Sequence, residues 1–322
     1  MRLLAIFLLT SSVLCYSDYS LKDGKLVERQ VFANPSVQEQ YNHIMNALGN
    51  MDWKRLEREV FFIKKNFPDS HYSKDASYFL GIAYYHQEDF ETANLHFTDY
   101  LTHQSTPKYF EQAIRHKFQI AENFRGGARK HIMGLKGMPK WAGAGTESIS
   151  IYDEVISALP HHDLAARAIY GKAEVLAKNE DFRAAIESYQ TLIRRFPKHP
   201  LAIESYIGIG QVYLTQSRTE YPDPDFLDLA ELNLRKFHAS FPGEVKVATA
   251  QQNYIRMQEH YANSLYDTAR FYERTNKWGA AKIYYTKILK SYPECSFSPK
   301  SKERLGVVEI KLTQLETKKN KK

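Results

Sequence analysis

Apolar residues recur along this chain at helical spacing, and six times they do so in the same frame. Trp53, Leu56 and Val60 are followed by Pro68; Phe90, Ala93 and Phe97 by Ser105; Gly145, Ser148 and Tyr152 by Pro160. Phe182, Ala185 and Tyr189 lead to Pro197; Leu227, Ala230 and Leu234 to Pro242; Trp278, Ala281 and Tyr285 to Pro293. The offsets from the first residue are three, seven and fifteen each time. Such spacing places the apolar side chains on one helical face. A small residue in the second column lets two helix backbones approach, and the aromatic beside it fills the remaining space. Pro cannot continue a helix and biases the residue before it away from helical angles. A matching half precedes several of these segments: Leu80-Gly81 with Tyr84, Ala121 with Phe124, Ala173 with Leu176, and Ala269 with Tyr272. The pattern predicts helical hairpins repeated five to six times. Ser105 in place of Pro, Leu56 in the small-residue column, and Gly145 and Ser148 in the third segment are departures from it.

This frame resembles the second half of a tetratricopeptide (TPR) hairpin, so the expected fold is an all-α, TPR-type helical-hairpin solenoid. A generic amphipathic bundle would not keep Pro in phase. The units recur at intervals longer than the family's period of about 34 residues. Two insertions account for the larger surpluses: a Gly-rich, basic stretch near 126–145, and the proline-containing stretch 217–225, where Asp225 reads as a helix N-cap. The long gap without Gly or Pro around Val247–Tyr272 predicts longer helices. The organisation expected is a signal peptide at 1–17, an extended linker at 18–35, the solenoid at 36–297, and a C-terminal helix with a basic tail at 298–322.

The N-terminus changes the picture. Met1-Arg2 precedes the apolar run Leu3 to Leu9, and small residues lead to Cys15. This reads as an export signal, too short to span a membrane. Cys15 is a candidate lipidation site, but Ser12 and Leu14 stand where a lipobox carries Leu and a small residue. Ordinary signal-peptidase cleavage after Cys15 or Ser17 is the alternative. The other cysteine, Cys295, is then alone, so no intramolecular disulfide is expected.

Composition adds less. Aromatics make up 13% of the 322 residues and Tyr alone numbers 22, enough to line both a core and a groove. The net charge of +7 includes the lysines at 318–322, and no nucleic-acid-binding motif accompanies it. There is no Gly-x-Ser-x-Gly, no His-Glu-x-x-His and no Cys-x-x-Cys. Arg125-Gly-Gly-Ala-Arg-Lys130 lacks the Gly-Lys-Ser/Thr ending of a phosphate loop and reads as a surface loop. His161-His162-Asp163 lacks a second ligand pair at metal spacing. The chain is therefore expected to be no enzyme and to need no cofactor or metal.

Binding is the remaining class. Counting back from the small residue of each first helix directs Tyr41, Tyr78, Tyr85, Arg115, Phe118, Arg125, Arg167 and Tyr170 toward the inner side. A wall of aromatics and arginines suits an extended peptide with aromatic side chains and a carboxylate.

The stretch Asn66-Phe67-Pro68 through Tyr85, continuing to Ala93, and its echo from Arg194 to Tyr206, resemble the BamD (ComL/YfiO) outer-membrane assembly lipoproteins over residues 36 to 300. The resemblance implies an exported, periplasmic scaffold at the inner face of the outer membrane. It would dock a BamA-like barrel protein and receive unfolded barrel precursors, with Cys15 as its candidate lipid anchor. Here the chain is longer than the family's usual form and carries the Gly/basic insertion as an extra. A periplasmic TPR accessory of cell-wall or Tol–Pal machinery, or a cytosolic TPR chaperone or adaptor, are the alternatives.

Overall fold

The computed structural model describes residues 19–22, 25–28, 36–131, 139–219 and 223–319. The export signal and Cys15 lie outside the described residues. Within the stretch expected as an extended linker, β1 (Tyr19–Lys22) and β2 (Lys25–Glu28) pair antiparallel.

Among the described residues, twelve helices pair as six hairpins. They are α1 (Val37–Gly49) with α2 (Trp53–Asn66), α4 (Ala76–His86) with α5 (Phe90–Thr102), and α6 (Phe110–Arg125) with α7 (Gly145–Ala158). The series continues with α8 (Asp163–Lys178) and α9 (Phe182–Arg195), α10 (Pro200–Thr219) and α11 (Pro224–Ser240), and α12 (Val247–Arg274) and α13 (Trp278–Ser291). A one-turn helix, α3 (His71–Lys74), leads into α4, and α14 (Phe297–Lys319) packs on α13 after the last hairpin. From α4 onward, first helices of neighbouring hairpins touch one another and form the inner row. Clefts open between the second helices, which form the outer row. The chain is an all-α helical-hairpin solenoid.

The repeated columns are its core. Ala93, Ser148, Ala185 and Ala281 are fully buried, as are Phe97, Tyr152 and Tyr285 in the third column. Leu56, the outsized member, is buried as well. Each second helix in four hairpins is launched by one turn. The first helix ends on a left-handed residue (Met51, Glu88, Glu180 or Asn276, φ 55–63°), and the next N–H reaches back five residues to a carbonyl of the last turn. This is a Schellman closure. In three of the four the following Asp (Asp52, Asp89, Asp181) caps the new helix, accepting from the N–H three residues on. At the other end, Phe67, Phe196, Phe241 and Tyr292 precede their prolines at φ near −130° and ψ of 55–69°, outside the helical region as the proline requires.

The insertion near 126–145 begins after the same closure. Gly127 (φ 104°) takes the left-handed position and the Ala128 N–H bonds the Asn123 carbonyl. The chain then leaves through β3 (Arg129–Lys130) and returns through the antiparallel β4 (Ala142–Gly143) into α7. Lys130 pairs with Glu147, the His131 N–H and Nδ1 lie 2.8 and 2.9 Å from Glu91 Oε2, and Lys140 Nζ bonds the Glu88 carbonyl. The ribbon is thus tied to the preceding hairpin. At the second insertion the cap is Asp223 rather than Asp225. Pro224, lacking an N–H, suits the first helical position, so the cap falls one residue earlier than Pro224 and accepts from the Asp225 N–H at 3.0 Å. The long helix expected around 247–272 is α12, 28 residues.

Candidate functional site: the inner face of the solenoid

The middle of the inner row is a chain of ionic and aromatic contacts. On α6, Arg115 pairs with Glu111 one turn earlier at 2.8 Å, and Phe118 lies buried beneath the Arg167 guanidinium of α8 at 4.9 Å. Arg125 holds Glu122 at 2.6 Å on its own helix and Glu174 on α8 at 2.5 Å. The second oxygen of Glu122 accepts from the Tyr152 hydroxyl at 2.5 Å. Tyr170 stands beside Glu174 with its ring 5.7 Å from Tyr189, and burial, then the Glu174 and Glu204 carboxylates, push its phenol up to about 12. Glu204 in turn holds Lys246.

Nearer the N-terminus the inner face is aromatic. Tyr41 stacks on Tyr72 at 4.3 Å and approaches Phe79 at 6.3 Å; Phe79 meets Tyr109, which stacks on Tyr78 at 4.4 Å. Lys108 lies over Tyr109 at 4.9 Å. Tyr85 sits apart from this group, between Phe90 and His116.

The eight residues expected to line a groove therefore fall into separate groups. Tyr41 and Tyr78 share the N-terminal aromatic group, Phe118 and Arg167 touch directly, and Arg125 and Tyr170 meet through Glu174. Arg115 and Tyr85 stand by themselves. Tyr78 and Phe118 are 6% and 4% exposed, so they support the wall rather than face out of it. The carboxylates Glu111, Glu122 and Glu174, not singled out in the sequence, neutralise two of the three arginines. Glu111 and Glu122 lie four and three residues before their arginines, a spacing that brings side chains together on a helix. Arg167 has no carboxylate partner among the described residues, and it is exposed. Of the three arginines, Arg167 is thus the one whose charge is left unneutralised among the described residues, while Arg125 is held by both Glu122 and Glu174.

A second column escaped the sequence reading. Two residues after the proline that ends four of the hairpins, a side chain caps the start of the next turn or helix. Ser70 accepts from the Ser73 N–H, His162 from Leu164, His199 from Leu201, and Glu244 from Lys246, all at 3.0–3.1 Å. The pair His162-Asp163 is thus occupied by the fold, with Asp163 bonded to His199 at 2.9 Å. Among the described residues no cluster of three or more His, Cys, Asp or Glu is arranged to hold a metal. Nor is any helix there long and apolar enough to cross a membrane.

Comparison with known proteins gives the family. Solved structures similar to the chain include a tetratricopeptide repeat protein from Parabacteroides merdae, at 11% identity and TM-score 0.38, covering 85% of this chain and 99% of that one. MamA from Desulfovibrio magneticus RS-1 aligns at 16% identity and TM-score 0.37, over 64% and 95% of the two chains. PilF from Pseudomonas aeruginosa aligns at 12% and 0.32, over 80% and 92%. No curated protein matches. A family model described as "YfiO: Outer membrane lipoprotein" matches residues 147–322, more than half of the chain. That span contains the echo at 194–206 and not the stretch at 66–93, and it runs on through α14. With its hairpin stack and this match, the chain belongs to the YfiO family of outer membrane lipoproteins.

Proposed function

We propose that the protein is a non-catalytic scaffold on the periplasmic side of the outer membrane that docks a BamA-like barrel protein and receives unfolded barrel-protein segments. Membership of the YfiO family carries this reading, and a stack of helical hairpins is a protein-interaction scaffold by construction. In this reading Cys15 carries the lipid anchor, and the inner face takes the incoming segment. Its N-terminal aromatic group offers stacking surface, and Arg167 offers a charge-assisted contact for a carboxylate.

Affinity purification of the tagged full-length chain from detergent-solubilised envelopes tests the partner. Near-stoichiometric recovery of a BamA-like barrel is the expected result. Cell-wall or Tol–Pal components without any barrel protein would overturn it. For the inner face, Arg167→Glu should weaken binding of an aromatic-rich peptide with a free carboxylate, measured by fluorescence anisotropy. Unchanged binding would remove Arg167 from the site.

A further inference from the structure

We infer that the outer cleft between α9 and α11 is a docking site for an acidic, leucine-bearing helical segment of a partner protein. It lies on the face opposite the inner row, so it stands or falls separately from the inner-face site.

The cleft encloses about 300 Å³. Ile209, Tyr206 and Tyr213 of α10 form its floor and Ile193 of α9 one side, with Gln190 and Asn233 as the neutral polar groups among them. Leu229 and Leu232 of α11 form the other wall and remain 43% and 40% exposed. These leucines are three residues apart along a helix that flanks the trough. A helix laid in such a trough contributes side chains at i, i+3, i+4 and i+7.

The rim sets the charge of the occupant. Arg194 and Lys236 are its ionic residues, and neither has a carboxylate partner among the described residues; Arg194 bonds only the Thr191 hydroxyl. The two neighbouring outer clefts differ. Between α7 and α9 the lining carries Asp153 paired with Lys172 at 2.6 Å, together with Glu187 and Arg195. Between α11 and α13 it carries Asp228 and Glu231 with Lys287. The α9–α11 cleft therefore combines apolar walls with an unneutralised cationic rim, which complements carboxylates on the partner. A second copy of this chain, with a net charge of +7, complements a cationic rim less well than an acidic segment does. A bilayer presses on protruding apolar surface, whereas these leucines line a recess.

The test uses the full chain and a fluorescein-labelled amphipathic helical peptide with leucines at i, i+3, i+4 and i+7 and glutamates on its flanks. A matched peptide carries lysines instead. By fluorescence anisotropy the glutamate peptide should bind at least about tenfold more tightly than the lysine peptide. Arg194→Glu, Leu232→Glu and the milder Leu229→Ala should each weaken it, the first two by about tenfold. Ile283→Glu, at another exposed aliphatic on the outer row, and Arg167→Glu should leave it unchanged. Equal binding of the two peptides, no binding, or indifference to the cleft variants would overturn the inference. So would self-association, or binding to phosphatidylglycerol vesicles in place of the peptide, that is lost in Leu232→Glu; these would assign the cleft to a second copy or to the membrane.

Discussion

Lys277 stands where Asp52, Asp89 and Asp181 stand in their own hairpins. Its backbone angles (φ −87°, ψ 60°) match theirs, and its N–H closes the same bond to the last turn of the helix before it. Only the side-chain acceptor is missing, so Lys277→Asp should add a cap to α13 and stabilise the protein by about 1 kcal/mol. A thermal or denaturant midpoint that does not rise would show that the turn tolerates no such bond. His116 makes the opposite case. Its ring lies flat on Phe97 at 5.2 Å, its Nδ1 is buried without a partner among the described residues, and burial followed by the neighbouring His86 pushes its pKa down to about 4. Between pH 6.5 and 4 the unfolded chain binds this proton and the folded one does not, so stability falls as pH falls through that window. The loss should be on the order of 2–3 kcal/mol. His116→Phe should flatten that part of the stability profile, and an unchanged slope would place the titration elsewhere. Residue roles of this kind were only partly legible. Aromatics and arginines can be counted along a helix, but whether Arg125 is free depends on Glu174, 49 positions away.

The second helices could be read from the sequence because each carries its seam in one frame. Five of the six start on the first column, at Trp53, Phe90, Gly145, Phe182 and Trp278, and α11 starts three residues before Leu227, at Pro224. The seam between one hairpin and the next was less visible, since it joins columns from two units. There a Cβ at Gly208 of α10 would lie 2.6 Å from the Tyr189 ring of the preceding hairpin, and one at Gly171 would meet Tyr152 at the same distance. Gly208→Ala should therefore destabilise by about 1–3 kcal/mol through overpacking, although Ala is the better helix former. Gly306→Ala in α14, where no described residue lies within 4 Å of the added Cβ, should stabilise by up to about 1 kcal/mol. Denaturant midpoints moving in the same direction for both would mean that the close approach at Gly208 is not rigid. The N-terminal part of α14 is secured differently. The Glu273 carboxylate, 7% exposed, gathers the Tyr285 hydroxyl at 2.9 Å, Arg270 at 3.3 Å and Arg304 from α14. No spacing rule reveals a contact spanning three helices.

Among the described residues the core divides into two large clusters and two small ones, the latter around Leu192 and Phe237. One cluster runs from Ile44 to Val175 and a second from Ala173 to Val308, and both include side chains of α8. Stacked repeats couple mainly to their neighbours, so the two halves need not melt together. Trp53 packs against the first cluster and Trp278 against the second, while Trp141 is 68% exposed on the ribbon. With Trp141 replaced by Phe, variants retaining only Trp53 or only Trp278 should report different denaturant midpoints. Coincident curves would establish a single cooperative unit. The ribbon between α6 and α7 matters at this scale too. Gly127 completes the turn of α6 before the ribbon begins, and α7 restarts at Gly145 after the strands have closed. Both helix ends are thus completed outside the stretch that joins the two strands. A change of length between the anchors His131 and Lys140 should therefore leave the ends of α6 and α7 and the bonds to Glu91 and Glu88 in place, which makes the ribbon, rather than the hairpins, the place where the array accepts insertions.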